Sequence, residues 1–336
     1  MPGSAAAVGA LPGEDPREAA RTVFGELGDP PHVPHLAQLP ARGPGADPLG
    51  RTASLLVDLP VDRQPAGWRF VDAPGRDAAR ADAFLRADLD ELAEAADGWT
   101  GPLAVSVVGP WSLLASVELN RGERSVSDPG ARRDVVASLA EGLSRHVADV
   151  QRLVPGAQVV VHVEEPSLAA VLAGRLPTQS GYGTLRAVDR AEVRDGLRDV
   201  LAAVRSAGAE PVLRLDSAQA PWSLVREVGA AGVALDVRDL GPAGWESVAA
   251  CVEDGLLLWA GAMPVPARTG LPVPSNAAVV DAVRQPWRRI GLPATALADV
   301  VLMPATGLAD APPSLVRDLL TRLRAAAAAL EEASGD

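Results

Sequence analysis

Short apolar runs alternate with longer amphipathic stretches along almost the whole chain, and this alternation restricts the fold more than any other feature. A bounded apolar run of about 4–8 residues reads as a buried strand, and an apolar stripe at 3.6-residue spacing reads as a helix laid over it. Eight such runs occur, at residues 5–11, 53–59, 103–109, 158–164, 211–216, 233–237, 256–262 and 299–303. Between most of them lies a helix with legible ends. In residues 189–208, Asp189 stands as the N-cap with Glu192 three positions on; Val193, Leu197, Val200, Leu201 and Val204 form one stripe, and Gly208 closes it. Asp128-Pro129 opens another helix, whose buried face is Val135, Val136, Leu139, Leu143, Val147 and Val150. Residues 76–98, 275–289 and 313–333 read the same way.

Eight buried strands interleaved with helices predict an α/β fold, a single (β/α)8 barrel. A chain of 336 residues exceeds the usual barrel length of about 250, and the excess falls mostly at the front. Residues 14–50 are rich in proline and glycine and read as a loop-rich N-terminal extension with one helical stretch around residues 16–27. One domain over residues 1–336 is expected, because neither a repeat nor a low-complexity linker divides the sequence. A doubly wound sheet is the rival, but no GxGxxG follows the first strand.

Composition closes several routes to function. All 31 basic residues are arginine, so no lysine exists for a Schiff base or a phosphate-binding P-loop. The formal net charge of −12 argues against a nucleic-acid partner, which needs a basic footprint. One cysteine, Cys251, allows no intramolecular disulfide and no thiolate-rich metal site, and its helical setting reads as a buried structural thiol. His32 and His35 fall in a proline-rich loop, His146 on a helix and His162 in a strand, too scattered to make a metal site by themselves. No apolar window is long enough for a membrane span, and residues 1–11 lack the features of a signal peptide, so a cytoplasmic location is expected.

In a barrel of this kind, chemistry sits at the C-terminal strand ends. The fourth run leads into Glu164-Glu165-Pro166, two carboxylates leaving a buried strand. They read as candidate catalytic groups, or as an acid pair at a helix N-terminus. The third run ends in Gly109-Pro110-Trp111-Ser112, where Trp111 offers either a stacking face for a planar ligand or a packing residue. The fifth ends in Arg214-Leu215-Asp216-Ser217, the sixth in Asp236-Val237-Arg238 and the eighth in Pro304-Ala305-Thr306. Asp216 and Asp236 can share a cation, or pair with Arg214 to close the mouth.

At these residues the chain resembles a known family. Gly9-Ala10-Leu11-Pro12-Gly13, Gly109-Pro110-Trp111-Ser112-Leu113, Glu164-Glu165-Pro166-Ser167-Leu168 and Pro304-Ala305-Thr306-Gly307-Leu308, in this order, look like the catalytic barrel of cobalamin-independent methionine synthase, more closely the short actinobacterial methionine-synthase-like proteins. The related uroporphyrinogen decarboxylases share this barrel type. The resemblance spans essentially the whole chain. It implies methyl transfer from a methylated folate to homocysteine or a similar small thiol, with zinc holding the thiolate. The family's zinc ligands are a histidine and cysteine two apart, a glutamate, and a cysteine in a Pro-x-Cys-Gly-Leu motif. Those positions fall on Arg214, Asp216, Asp236 and Thr306 here. The family's first-strand serine falls on Ala10 and the aspartate of its Asp-Glu-Pro motif on Glu164. Where full-length synthases carry a histidine after strand seven, this chain reads Pro264-Val265-Pro266-Ala267-Arg268.

A permanent guanidinium in place of an imidazole repels a metal, so no metal and no other cofactor are expected. Two main readings follow. One is an enzyme of methyltransferase type with Glu164 and Glu165 as catalytic groups and Trp111, Ser112, Arg214, Asp216, Asp236 and Thr306 binding substrate. The other is a catalytically silent barrel that binds a small molecule or a partner. A decarboxylase gripping carboxylates through Arg214 and Arg238 ranks third. The oligomeric state is not legible in the sequence.

Overall fold

The computed structural model describes residues 2–7, 9–65, 67–120, 122–216, 219–266 and 273–335. In chain order the strands are β1 (Val61–Gln64), β2 (Gly67–Phe70), β3 (Gly101–Val108), β4 (Val117–Glu118), β5 (Ala157–Glu165), β6 (Glu210–Leu215), β7 (Gly232–Asp236), β8 (Leu257–Met263) and β9 (Val301–Pro304). The last six apart from β4, that is β3 and β5 to β9, form a parallel sheet in sequence order. The other three make a small separate sheet, β2 pairing antiparallel with β1 and parallel with β4.

Two short segments close the parallel sheet into a ring. Ala6 N donates to Leu302 O at 2.9 Å and Leu302 N to Ser4 O at 3.0 Å, which docks the first segment on β9. Val33 N then donates to Ala5 O, while Leu36 N donates to Ala104 O and Ala104 N to Pro34 O, all at 2.9 Å. Residues 33–36 thus lie between the first segment and β3, pairing parallel with both. The circuit of eight parallel segments is the expected α/β barrel.

The second strand is not where the apolar run predicted it. Residues 53–59 leave helix α2 (Pro48–Ala53) and turn outside the barrel, with Val57 O accepting from Ser138 Oγ at 2.8 Å. The capping signal Asp47-Pro48 starts a helix that consumes the front of that run; Asp47 accepts from Gly50 N. The true second strand hides in the proline-rich stretch because Pro34 needs only its carbonyl there, and that carbonyl is what Ala104 binds. Residues 14–50 therefore hold α1 (Pro16–Leu27), this strand and the start of α2.

Helices α3 (Arg76–Ala95), α5 (Pro129–Leu153), α7 (Arg190–Ser206), α10 (Asn276–Ile290) and α11 (Pro313–Glu332) follow the sequence pattern closely, and beside them stand α4 (Pro110–Ser116), α6 (Leu168–Ala173), α8 (Trp222–Val225) and α9 (Pro242–Glu253). Asp189 caps α7, accepting from Ala191 N and Glu192 N, and Asp128 caps α5 through Ala131 N. Cys251 is fully buried in α9, where desolvation lifts its thiol to about 11. Among the described residues no helix is long and apolar enough to cross a membrane.

Inside the ring a compact layer of Ala6, Val33, Ala104, Val160, Val212, Ala234, Trp259, Val301 and Met303 fills the barrel. Three alanines leave the room that the Trp259 indole takes up, the large-against-small matching that close packing demands. Above it His162 sets its ring edge-on to Trp259, centroids 4.6 Å apart.

The outer packing yields a paired prediction. A Cβ at Gly142 of α5 would lie 1.9 Å from Leu55 O, whereas at Gly25 of α1 it would meet nothing within 4 Å. Replacing glycine by alanine in an open helical position stabilises by about 0.5–1 kcal/mol, while overpacking costs about 1–3 kcal/mol. Gly25→Ala should therefore raise Tm in thermal denaturation and Gly142→Ala lower it, although both sit in helices.

Candidate functional site

The two-residue period of a strand carries the inward face from the packed layer to the mouth. On β5 the inward positions run Val160, His162, Glu164; beyond Val212 on β6 come Arg214 and then Asp216; beyond Ala234 on β7 comes Asp236. A cavity of about 440 Å³ opens over these residues, and Ala10, Gln38, Pro48 and Thr306 complete its wall. The positions that the family resemblance picked out, Arg214, Asp216, Asp236 and Thr306, are thus brought together with Glu164 and Ala10. Ser217, Ala267 and Arg268 lie outside the described residues.

The charges at the mouth are arranged in pairs. Arg214 Nη1 lies 3.7 Å from Glu164 Oε1, an ion-pair distance too long for a hydrogen bond, and among the described residues Nη1 has no hydrogen-bond partner. Burial pushes the Glu164 carboxyl above its ordinary value, and Arg214 pulls it back. Asp236 is held by Arg238, whose Nε and Nη2 reach its two oxygens at 2.9 and 2.6 Å, with the Arg238 backbone N–H adding a third bond at 3.0 Å. The sequence offered Arg214 as the partner of the aspartates; Asp236 takes Arg238 instead, because a two-residue reach closes a local loop.

Beneath the cavity, His162 and His35 are buried with ring nitrogens that accept and donate no hydrogen bond, Nε2 of the first and both of the second. Burial drives His162 down to about 3, with Arg214 and His35 adding to it, and burial takes His35 down to about 4. Both imidazoles are neutral at physiological pH and add no charge to the site.

Three expected site residues are elsewhere. Glu165 follows Glu164 directly, so its side chain leaves the opposite face of β5, away from the mouth, and is 1% exposed. Its carboxylate accepts from Trp111 N at 2.8 Å, Ser112 N at 2.8 Å and Ser112 Oγ at 2.7 Å, spending both oxygens on the first turn of α4. Gly109 makes room for it, since a Cβ there would meet Oε1 at 2.5 Å. Trp111 offers no stacking face: it is 1% exposed, packs against Gly196 and Val136, and donates from Nε1 to Val193 O at 3.1 Å. Ser112 also accepts from Ser167 N at 3.0 Å. These residues form a buried joint between β5, α4 and α7, so the catalytic and substrate-binding roles expected of them do not fit their positions.

Gln38 carries no signal of its own in the sequence. It is 4% exposed, lines the cavity, and donates from Nε2 to Ser106 O at 2.7 Å. Only recognition of a strand within the proline-rich stretch would have pointed to it.

Among solved structures, the chain is similar to a B12-independent methionine synthase from Shewanella sp. W3-18-1 in complex with selenomethionine. That likeness has a TM-score of 0.62 at 10% identity over 99% of this chain and 98% of that one. It is also similar to a methyltransferase from Methanosarcina mazei, with a TM-score of 0.56 at 13% identity over 93% of this chain and 83% of that one. At these identities the likeness shows a shared barrel fold. No protein-family model matches the chain, and no curated protein sequence matches it.

The buried joint predicts the effect of losing Glu165. Glu165→Ala strands three buried donors and should cost about 2–4 kcal/mol. Burial raises this carboxyl from 4.5 to about 7, so the folded state holds its proton more tightly than the unfolded chain does. Its contribution is full below the unfolded value and declines as pH rises through about 7. The Tm gap between parent and variant should be wider at pH 5 than at pH 8, read by scanning calorimetry.

Proposed function

We propose that this chain is a methionine-synthase-like barrel that binds a small molecule at its mouth without zinc. The observation that supports the reading best is the guanidinium of Arg214, 3.7 Å from a carboxylate, standing where the resemblance would put a metal ligand. A zinc ion does not fit this donor set. Arg214 is a permanent cation without a lone pair to give, Asp236 is already bonded through both oxygens to Arg238, and among the described residues no thiolate or imidazole lines the cavity. Among the described residues no group of three or more histidine, cysteine, aspartate or glutamate side chains is placed to hold a metal.

Methyl transfer from a methylated folate to homocysteine or another small thiol is the second reading, favoured by the likeness to a methionine synthase and a methyltransferase. Without zinc the proton of the thiol must go to a side chain. Glu164, inward-facing at the mouth, would be its acceptor and Arg214 the charge that steadies the thiolate. Both readings take a small molecule as partner and a cytoplasmic location, and the net charge of −12 disfavours nucleic acid.

Protein purified without chelator should contain no stoichiometric zinc by elemental analysis, and added zinc should not raise Tm. One tightly held zinc per chain would defeat the reading. Thermal-shift screening with homocysteine, other thiols, methylated folates and small acids then separates the two activities. Methyl transfer detected with homocysteine, insensitive to chelator and abolished in Glu164→Gln, would establish the enzyme; binding without turnover would establish the silent barrel.

A further inference from the structure

Among the described residues four charged side chains line the mouth: Glu164, Arg214, Asp216 and Asp236. Arg238 already neutralises Asp236. Among the described residues Arg214 is thus the lining cation, and its setting is built rather than casual. It rises from β6 directly above the packed interior, its Nη1 sealed in the wall beside Glu164, while its side chain remains 17% exposed. Glu164 holds the sealed Nη1 edge of the guanidinium without bonding to it, which leaves the exposed remainder of the side chain to meet another oxygen. We infer that the mouth is an anion-binding site in which Arg214, steadied by Glu164, stands in for a metal and takes the carboxylate of a small organic acid.

The inference rests on the reading of the mouth as the ligand site and names the ligand's chemistry. A metal in such a barrel holds an anionic group of the substrate by charge; a planar guanidinium does the same for a carboxylate, with two parallel N–H donors matched to two oxygens. Burial pushes the Glu164 carboxyl above its ordinary value and Arg214 pulls it back, so the geometry that serves the arriving carboxylate is that of the guanidinium. Of the other groups beside Arg214, His162 and His35 are neutral, and Asp216 lies at the exposed rim, where solvent screens its charge.

The test is calorimetric titration of the full chain with succinate and glutarate, with their diamides as neutral isosteres, and with inorganic phosphate, at constant ionic strength. The dicarboxylates should bind and the diamides should not. Losing the charge-assisted pair should weaken binding about tenfold or more in Arg214→Gln, with partial recovery in Arg214→Lys. Thermal melts identify any variant that fails to fold, and Arg214→Lys, which keeps the charge, then decides. The inference falls if no dicarboxylate binds, if Arg214→Gln binds it as the parent does, or if phosphate is preferred. Thr306→Trp, which obstructs the rim, tells the two failures apart. A diamide or thiol that binds the parent and Arg214→Gln equally but not Thr306→Trp leaves the mouth as the ligand site and removes the acid. Binding that survives Thr306→Trp removes the mouth itself.

Discussion

The parallel register of the ring, with side chains alternating in and out every residue, governs everything else in this protein. One register shift would exchange the faces of a strand and move its whole hydrophobic set. Held as it is, the register stacks Val160, Val212 and Ala234 in the interior and brings Glu164, Arg214 and Asp236 to the mouth above them. The same alternation separates the two glutamates that leave β5. Glu164 faces the cavity, and its neighbour Glu165 is committed to the start of α4. Ring closure through Ser4–Ala6 and residues 33–36 is what fixes that register, because it ties β9 to β3 through backbone hydrogen bonds and leaves the sheet without an open edge.

Much of this architecture is legible in the sequence, for reasons that differ by element. Helices α5 and α7 carry long apolar stripes and capping aspartates, two independent signals that agree. The strands from β5 to β9 are buried on both faces and read as continuous apolar runs. Residues 33–38 give no such signal, since Pro34 and the buried His35 interrupt the pattern. Their strand character comes from pairing partners distant in the chain. The run at 53–59 gives a false signal because apolarity alone does not say which surface it will cover, and here it covers α5.

At the site, strand-end position identified Arg214, Asp216, Asp236 and Thr306, and the fold gathers them round one cavity. Trp111 and Ser112 follow β3 in sequence but enter α4 at once, so helix packing claims them. Pairing geometry is the part no pattern reveals. That Arg238 curls back on Asp236 and Arg214 faces Glu164 depends on side-chain reach across adjacent strands.

On the proposed reading, a fixed guanidinium holds charge at the mouth where the family resemblance would place zinc, an exchange of one way of holding charge for another. The exchange suits a ligand that arrives already anionic, because a guanidinium binds a carboxylate well but does little to ionise a thiol. The most direct measurement is anomalous diffraction at the zinc edge from crystals grown with both zinc and succinate. The account predicts no anomalous peak among Arg214, Asp216, Asp236 and Thr306, and carboxylate density on the Arg214 guanidinium. A zinc peak held by Asp216 and Asp236, with Arg214 turned away, would contradict it.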